Sequence, residues 1–158
     1  MTEQRFTHLN DAGEARMVDV SDKAETVRQA TAEATVLLSA DCVEALRDGS
    51  VPKGDALSVA RIAGIAGAKQ TPSLIPLCHP LPITGVEVDL DVFDSGVHVV
   101  ATVRTTGRTG VEMEALTAVS VAGLTVIDMV KAIDRTATIT DVRVTAKSGG
   151  RRGSWSRS

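Results

Sequence analysis

The chain has 158 residues, the size of one compact domain, of which 43% are hydrophobic and 23% are charged. This balance excludes a wholly disordered chain, and such a length buries a core without disulfides or metals. Seventeen Lys and Arg against twenty Asp and Glu give a net charge of −3, so no global attraction to nucleic acid or anionic membranes is expected. The aromatic residues are Phe6, Phe93 and Trp155, too few to favour RNA binding by base stacking.

The cysteines and the N-terminus bear on location. Cys42 and Cys78 form neither a disulfide framework nor a Cys-x-x-Cys pair. The polar N-terminus lacks a secretory pattern, and no apolar run reaches the roughly 18 residues of a membrane span. We therefore expect a soluble, cytoplasmic protein with free thiols and no membrane partner.

A single domain over residues 1–158 is expected, with an extended lead-in at 1–27 and a mobile tail at 149–158. Alternating apolar residues from Ala32 to Leu38 predict the first strand. A short helix is predicted from Asp41 to Arg47, closed by Asp48-Gly49.

A second helix is predicted after Pro52, ending at Thr71-Pro72. Gly64 and Gly67 each cost this helix about 1 kcal/mol relative to Ala. We expect these glycines to allow close helix packing and not to form a phosphate loop.

The strongest local pattern is a hairpin. Apolar residues alternate with polar ones from Val86 to Val92 and again from Val97 to Val103, and Asp94-Ser95-Gly96 between them predicts the turn.

A long apolar helix is predicted from Thr109, through a Thr-x-x-Glu capping box with Glu112, to about Asp134. A final strand follows from Thr138 to Lys147. The order predicts an α+β, ferredoxin-like split β-α-β-β-α-β fold, an antiparallel sheet with helices on one face. This fold hosts many functions and does not identify one.

Polar residues on the long helix form a first candidate site. At about 100° per residue, Glu114, Thr117, Asp128 and Lys131 fall on one side of the helix. They either form a solvated stripe with a weak Asp128–Lys131 pair or line a polar cavity. The surrounding apolar residues favour the cavity, because a buried carboxylate and ammonium need each other or a polar site.

The connector that contains Leu77-Cys78-His79 is a second candidate, made rigid by Pro76 and Pro80. We interpret Cys78 as a packed thiol in preference to a nucleophile, because no third orienting group is evident. His79 is better placed to contact an anion or a hydroxyl.

Lysines beside glycines form a third group. Lys53-Gly54 precedes the second helix, and Lys147-Ser148-Gly149-Gly150-Arg151-Arg152 leaves the last strand. Glycine lets the backbone approach a ligand, and Lys and Arg donate to phosphate, although the Walker spacing is absent. With His79 and Lys131, these cations suit a phosphorylated small molecule and acid–base chemistry if the fold brings them together.

Several segments carry a resemblance to a known family. They are SLIPLCHPLPITGVEVDL, TGRTGVEMEALTAVSVAGLTVIDMVKAIDR and AKSGGRRG, joined by THLNDAGEARMVDVSDKAETVR and KGDALSVARIAGIAGAK. They span residues 6 to 153 and resemble the cyclic pyranopterin monophosphate synthase family, molybdenum cofactor biosynthesis protein C. Val51-Pro52 stands where the family usually has a basic position before Lys-Gly-Asp.

The resemblance implies an enzyme that converts (8S)-3′,8-cyclo-7,8-dihydroguanosine 5′-triphosphate to cyclic pyranopterin monophosphate with release of pyrophosphate. It implies catalytic Asp128, Lys131 and Lys53, and substrate binding by Leu77, Cys78, His79, Met113, Glu114 and Lys147. It also implies a homohexamer, a trimer of dimers, with its sites at subunit interfaces.

Within that expectation Lys53 and Lys131 are the acid–base pair, Asp128 orients Lys131, and Glu114 binds a polar edge of the purine. The candidates to neutralise the triphosphate are Lys147, His79, Arg28 and Lys69. No resident cofactor is expected. The sequence has no evident carboxylate cluster for Mg²⁺, which is left open as an ion that the substrate carries.

Two other functions stay open at this point. The same fold suits a non-catalytic nucleotide or phosphate sensor, or an assembly module whose apolar helix serves oligomerisation. Either would need cations without an acid–base lysine. Product detection after incubation with the cyclic triphosphate distinguishes them from an enzyme.

Overall fold

The computed structural model describes residues 7–158. In chain order its elements are β1 (Thr26–Leu37), α1 (Ala40–Asp48), α2 (Ala56–Lys69), α3 (Thr71–Leu74), β2 (Ile83–Phe93), β3 (Gly96–Gly107), α4 (Glu112–Val130), β4 (Thr138–Ser148) and β5 (Trp155–Ser156). The strands form one antiparallel sheet in the order β2-β3-β1-β4-β5. The predicted ferredoxin-like α+β fold is confirmed, with β5 added at the β4 edge.

The core lies between one face of this sheet and the helices. On β1 every second residue is buried, from Ala30 to Val36, and points to the helices. The intervening residues face away from them, where the Glu33 carboxylate accepts hydrogen bonds from Arg143 and His98. The period of two predicted for this strand therefore separates a core face from a polar face.

Helices α2 and α4 pack closely because two glycines leave room. A Cβ at Gly64 would lie 3.0 Å from the carbonyl oxygen of Ala118, and one at Gly67 would lie 2.8 Å from Val121 Cβ. The predicted role of these glycines in helix packing is thereby confirmed.

The beginning of α4 differs from the prediction. Its N-cap is Val111, with no side-chain cap hydrogen bond, so the capping box expected from Thr109 is wrong. The Glu112 carboxylate instead accepts a hydrogen bond from Lys147 Nζ at 2.7 Å. A bond to an ammonium is stronger than one to a neutral backbone N–H, so the carboxylate turns toward β4.

Helix α4 also has the length and composition of a membrane span. Among the residues that the structure describes, it alone meets both criteria, with a mean hydropathy of 1.6. A buried core helix meets the same criteria. Residues Ala115, Ala118, Val119, Ala122 and Val126 of α4 are fully buried in the core, so its composition is accounted for by packing.

The sequence predicts an extended lead-in at one end of the chain and a mobile tail at the other. The lead-in at 1–27 lies partly outside the described residues, and its described part reaches β1 at Thr26. The tail at 149–158 contains β5, which pairs with β4 through Lys147–Trp155 and Ala146–Ser156. Mobility of this tail stays a prediction.

Candidate functional site

A cavity of about 690 Å³ opens at the end of the sheet where β1 begins and β3 and β4 end. Its volume is in the range of small-molecule sites. The six residues predicted to bind substrate all line it: Leu77, Cys78, His79, Met113, Glu114 and Lys147. The structure thus brings together three separate segments, while the role of each side chain stays a prediction.

The connector between α3 and β2 supplies one wall of the cavity. Thr105 on β3 donates a hydrogen bond of 2.7 Å to the carbonyl oxygen of Pro82, which fixes the end of this connector. The His79 ring lies 2.8 Å, through Nε2, from the carbonyl oxygen of Val18. A carbonyl only accepts, so Nε2 carries the proton and Nδ1 is the ring atom left for a ligand.

Cations dominate the polar lining of the cavity. Two acidic residues, Glu112 and Glu114, face six basic ones, namely Lys23, Arg28, Arg108, Lys147, Arg151 and Arg152. The chain as a whole carries −3, so the positive charge is concentrated locally. Such a cluster in a concave site attracts a polyanionic ligand.

Arg28 is the most rigidly held of these cations. Its Nε donates to the carbonyl oxygen of Gly107 at 2.9 Å, and a terminal nitrogen donates to that of Arg108 at 3.1 Å. These bonds tie β1 to the end of β3 and leave the other guanidinium donors of Arg28 available.

Sequence reasoning identified part of this cluster. Arg28, Lys147 and the Arg151-Arg152 pair were predicted as phosphate contacts and line the cavity. Lys69 was also predicted but lies in the last turn of α2, outside the lining. Lys23 and Arg108 were missed, because neither belongs to a glycine-rich segment or a periodic pattern that would distinguish it from a surface cation.

A buried acid, Glu114, and a half-buried thiol, Cys78, also line the cavity. Glu114 is 2% exposed, and burial, assisted by the negative charge of Glu112, raises the pKa of its carboxyl. Burial, and then the charge of Glu114, raises the pKa of the Cys78 thiol. A thiol held protonated is a poor nucleophile, which agrees with our interpretation of Cys78 as a packing residue.

The three residues predicted to be catalytic form a separate cluster. Lys131 Nζ lies 2.7 Å from Asp128 Oδ1, and Lys53 Nζ lies 3.0 Å from Asp128 Oδ2. Hydrogen bonds from Lys131 and then Lys53 lower the pKa of the Asp128 carboxyl. The side chains of Lys53 and Lys131 are 41% and 59% exposed, so neither lysine is desolvated within one chain.

This lysine cluster and the cavity lie at opposite ends of α4. Glu114 and Asp128 are 14 residues apart, which on a helix rising about 1.5 Å per residue is about 21 Å. The polar residues predicted to form one stripe on the helix therefore belong to two separate sites, one near each end of α4. Thr117, another residue of the predicted stripe, donates its hydroxyl proton to the carbonyl oxygen of Met113 at 2.7 Å, so its hydrogen bond stays within α4.

Within residues 7–158 no group of three or more His, Cys, Asp or Glu side chains is arranged to hold a metal ion. The chemistry that the two sites offer is that of carboxylates, ammonium groups and guanidinium groups.

An α+β fold with a cation-lined cavity and a lysine–carboxylate cluster defines a class of protein that binds anionic small molecules. The MoaC family model matches residues 17–150. A cyclic pyranopterin monophosphate synthase from Streptomyces avermitilis is 65% identical over 156 residues, 99% of this chain and 92% of that protein. A cyclic pyranopterin monophosphate synthase from Nocardioides sp. is 63% identical, over 98% of this chain and 96% of that protein. Cyclic pyranopterin monophosphate synthase 2 from Mycobacterium bovis is 55% identical, over 96% of this chain and 91% of that protein.

The chain belongs to the MoaC family. It is an enzyme that functions in molybdenum cofactor biosynthesis, as the sequence resemblance implied.

Proposed function

We propose that the chain is a cyclic pyranopterin monophosphate synthase. It converts (8S)-3′,8-cyclo-7,8-dihydroguanosine 5′-triphosphate to cyclic pyranopterin monophosphate and releases pyrophosphate. The observation that carries this proposal is the cavity with six Lys and Arg side chains, lined by all six predicted substrate-binding residues. The names of the curated relatives agree with it.

In this proposal the basic residues bind the triphosphate. Arg28, Lys147 and the Arg151-Arg152 pair donate charge-assisted hydrogen bonds to phosphate oxygens. Glu114, buried deeper on α4, faces the purine-derived ring. Its raised pKa suits a carboxyl that exchanges hydrogen bonds with ring nitrogens in either protonation state.

Lysines 53 and 131 carry the acid–base steps in this proposal. Ring opening and reclosure require protons to be moved to and from nitrogen and carbon, and Asp128 holds both amino groups within 3.0 Å of its carboxylate oxygens. In one chain these groups are exposed and about 21 Å from Glu114 by the rise of the helix. Catalysis therefore needs a second chain whose lysine cluster covers the cavity of the first.

We propose that this arrangement is provided by a homohexamer, a trimer of dimers, in the cytoplasm. Exposed apolar side chains on the two packed helices favour such contacts, since Leu124, one turn from Asp128 on α4, is 60% exposed and Ile62 on α2 is 68% exposed. Each site would then combine the cavity of one chain with Lys53, Asp128 and Lys131 of another. No resident cofactor is proposed, and any Mg²⁺ arrives with the substrate phosphates.

Turnover of the cyclic triphosphate, followed by mass detection of product and pyrophosphate, tests the reaction. Lys131→Met keeps most of the side-chain volume and removes the proton, so we expect a fall in kcat of at least about 100-fold, the usual scale of general acid–base catalysis. Lys69→Met is the matched control, since Lys69 lies outside the cavity lining. Near wild-type turnover by Lys131→Met refutes the catalytic role. Binding without turnover by the wild-type chain supports a sensor instead.

Mixing two inactive variants tests the two-chain site. Lys131→Met retains an intact cavity, and Lys147→Met retains an intact lysine cluster. If each site draws on two chains, random mixed oligomers regain about one quarter of wild-type activity, because that fraction of sites pairs two intact halves. A site contained in one chain regains none.

A further inference from the structure

The C-terminal tail carries charge over the cavity and then returns to the sheet. Residues 149–154 connect β4 to β5, and within this connection Arg151 and Arg152 line the cavity. Neither arginine takes part in the ion pairs formed among residues 7–158. We refer to residues 149–154 as the arginine loop.

The beginning of the arginine loop is pressed against β1. Gly149 and Gly150 have φ of 93° and 74°, which side-chain-bearing residues rarely adopt. A Cβ at Gly149 would collide with the carbonyl oxygen of Val27, and one at Gly150 would collide with the Arg28 guanidinium. The loop backbone therefore lies directly beside the most rigidly held cation of the cavity.

The far end of the loop is held by the last residues of the chain. Two residue pairs, Ala146–Ser156 and Lys147–Trp155, join β5 to β4. Arg157 adds three contacts: its backbone N–H donates to the carbonyl oxygen of Thr145 at 2.7 Å, its Nε donates to that of Val144 at 3.0 Å, and its guanidinium lies 5.6 Å from the Trp155 ring centroid. A cavity of about 290 Å³ lies beside Trp155 on β5.

So short a strand depends on its side-chain contacts. Two ladder pairs with open space beside them give little cooperative stability, whereas the Arg157 contacts fix both the backbone and the ring. Loss of the two side-chain contacts of Arg157 leaves only its backbone bond to Thr145 and loosens this end of the loop, so that binding a ligand must then restrict the loop's conformations.

We propose that Arg157 and Trp155 are positioning residues that hold the arginine loop over the cavity, so that Arg151 and Arg152 bind a polyphosphate chain. This inference rests on the proposed function for the nature of the ligand. Arg157 lies outside the cavity lining, and it acts through the loop and not by contact with the anion.

Binding of inorganic tripolyphosphate to the full chain, measured by calorimetry, tests the proposal without turnover. Arg157→Ala weakens binding by about tenfold, on the scale of one charge-assisted hydrogen bond. Replacing Arg151 and Arg152 together by Ala weakens it further. Arg47→Ala is the control, because it removes the same charge at the opposite end of the sheet, where Arg47 pairs with Asp94 at 3.0 Å.

Tryptophan emission reports on the surroundings of Trp155 at the end of the arginine loop, because Trp155 is the single tryptophan and the chain has no tyrosine. Tripolyphosphate protects Trp155 from acrylamide quenching in the wild-type chain and protects it less in Arg157→Ala. In turnover, Arg157→Ala raises KM and leaves kcat unchanged. Trp155→Phe keeps an aromatic face for the guanidinium and retains a KM closer to wild type than Trp155→Ala does.

Equal tripolyphosphate affinity in wild type and Arg157→Ala, with unchanged unfolding temperatures, overturns the proposal. The same conclusion follows if the variant lacking Arg151 and Arg152 binds like wild type. A chain that binds tripolyphosphate as expected but forms no product leaves this inference standing and refutes the proposed reaction. If Arg157→Ala forms product with an unaltered KM, this inference is refuted and the proposed reaction stands.

Discussion

Asp134 connects the end of α4 to the start of α1 through a carboxylate that is almost fully buried. The residue is 6% exposed. Its Oδ2 accepts the backbone N–H of Ser39 at 2.8 Å, and its Oδ1 accepts both the backbone N–H and the hydroxyl of Thr136 at 2.7 Å. Lys131 lies three residues earlier and Lys53 follows α1, so this junction also fixes the two ends of the lysine cluster.

Asp134→Ala removes all three hydrogen bonds. Each bond to a charged acceptor contributes roughly 1.5–3 kcal/mol net. Ser39 and Thr136 are exposed, so water satisfies their donors in the variant and the total falls well below the sum. We expect a loss of about 2 kcal/mol in the free energy of unfolding, and about half of that for Asp134→Asn, which keeps one accepting oxygen.

The effect depends on pH in a defined direction. Hydrogen bonds from Thr136, and then Ser39, lower the pKa of the Asp134 carboxyl. Folding therefore favours the ionised form, and this stabilisation is complete above the unfolded pKa of about 3.9 and is lost as pH falls through the lower folded value. The difference between wild type and Asp134→Ala shrinks accordingly below about pH 4.

Urea unfolding at neutral pH measures the loss as a lower midpoint with an unchanged m value. Asp94→Ala is the matched control, because the Asp94 side chain is 96% exposed and an exposed pair such as that with Arg47 contributes at most about 1 kcal/mol. If the two substitutions cost the same, the carboxylate of Asp134 does not connect α4 to α1 in the way described.

Two further substitutions test the packing and the cavity. Gly67→Ala places a Cβ 2.8 Å from Val121 and lowers stability by about 1–2 kcal/mol despite its better helix propensity. Adding Val121→Ala removes Cγ2 of Val121, which also lies 2.8 Å from the new Cβ, and recovers part of the loss in the urea midpoint. If Gly67→Ala alone costs no stability, the close contact is refuted. Glu114→Gln raises the unfolding temperature of the isolated chain at pH 7, because the raised pKa of Glu114 means that ionisation destabilises the fold. That gain fades toward pH 4, where the unfolded carboxyl is itself protonated, and a gain that is constant with pH contradicts the assignment.

The sheet and its helices follow from local patterns in the sequence. The alternation of β1 and of the β2–β3 hairpin predicted which residues face the core, because a period of two leaves one choice of face when one side is buried. Gly64 and Gly67 were assigned correctly for a similar reason, since two glycines three residues apart on one helix have a packing explanation. The capping box failed because Glu112 has a stronger partner in Lys147, 35 residues away.

Local sequence patterns predict less of the cavity than of the fold. Its cations come from β1 and the segment just before it, from the turn after β3, and from β4 and the tail that follows it. They meet only because the antiparallel register places Thr26 opposite Gly107 and Gln29 opposite Ser148. Lys23 and Arg108 have no pattern of their own, and tertiary contacts alone distinguish them from surface residues.

The rotation of about 100° per residue groups the polar residues of α4 by side but says nothing about their separation along the helix axis. Glu114 and Asp128 share a side of the helix, yet 14 residues of rise separate them. Lys53 and Lys131 then converge on Asp128, not on the ligand cavity. If the two ends of α4 serve one reaction, as we propose, the lysine cluster of one copy must lie against the cavity of another. In the proposed oligomer, the exposed Leu124 beside Asp128 offers that copy an apolar surface to cover. Covering it would also withdraw Lys53 and Lys131 from water, as their proposed acid–base role near neutral pH requires.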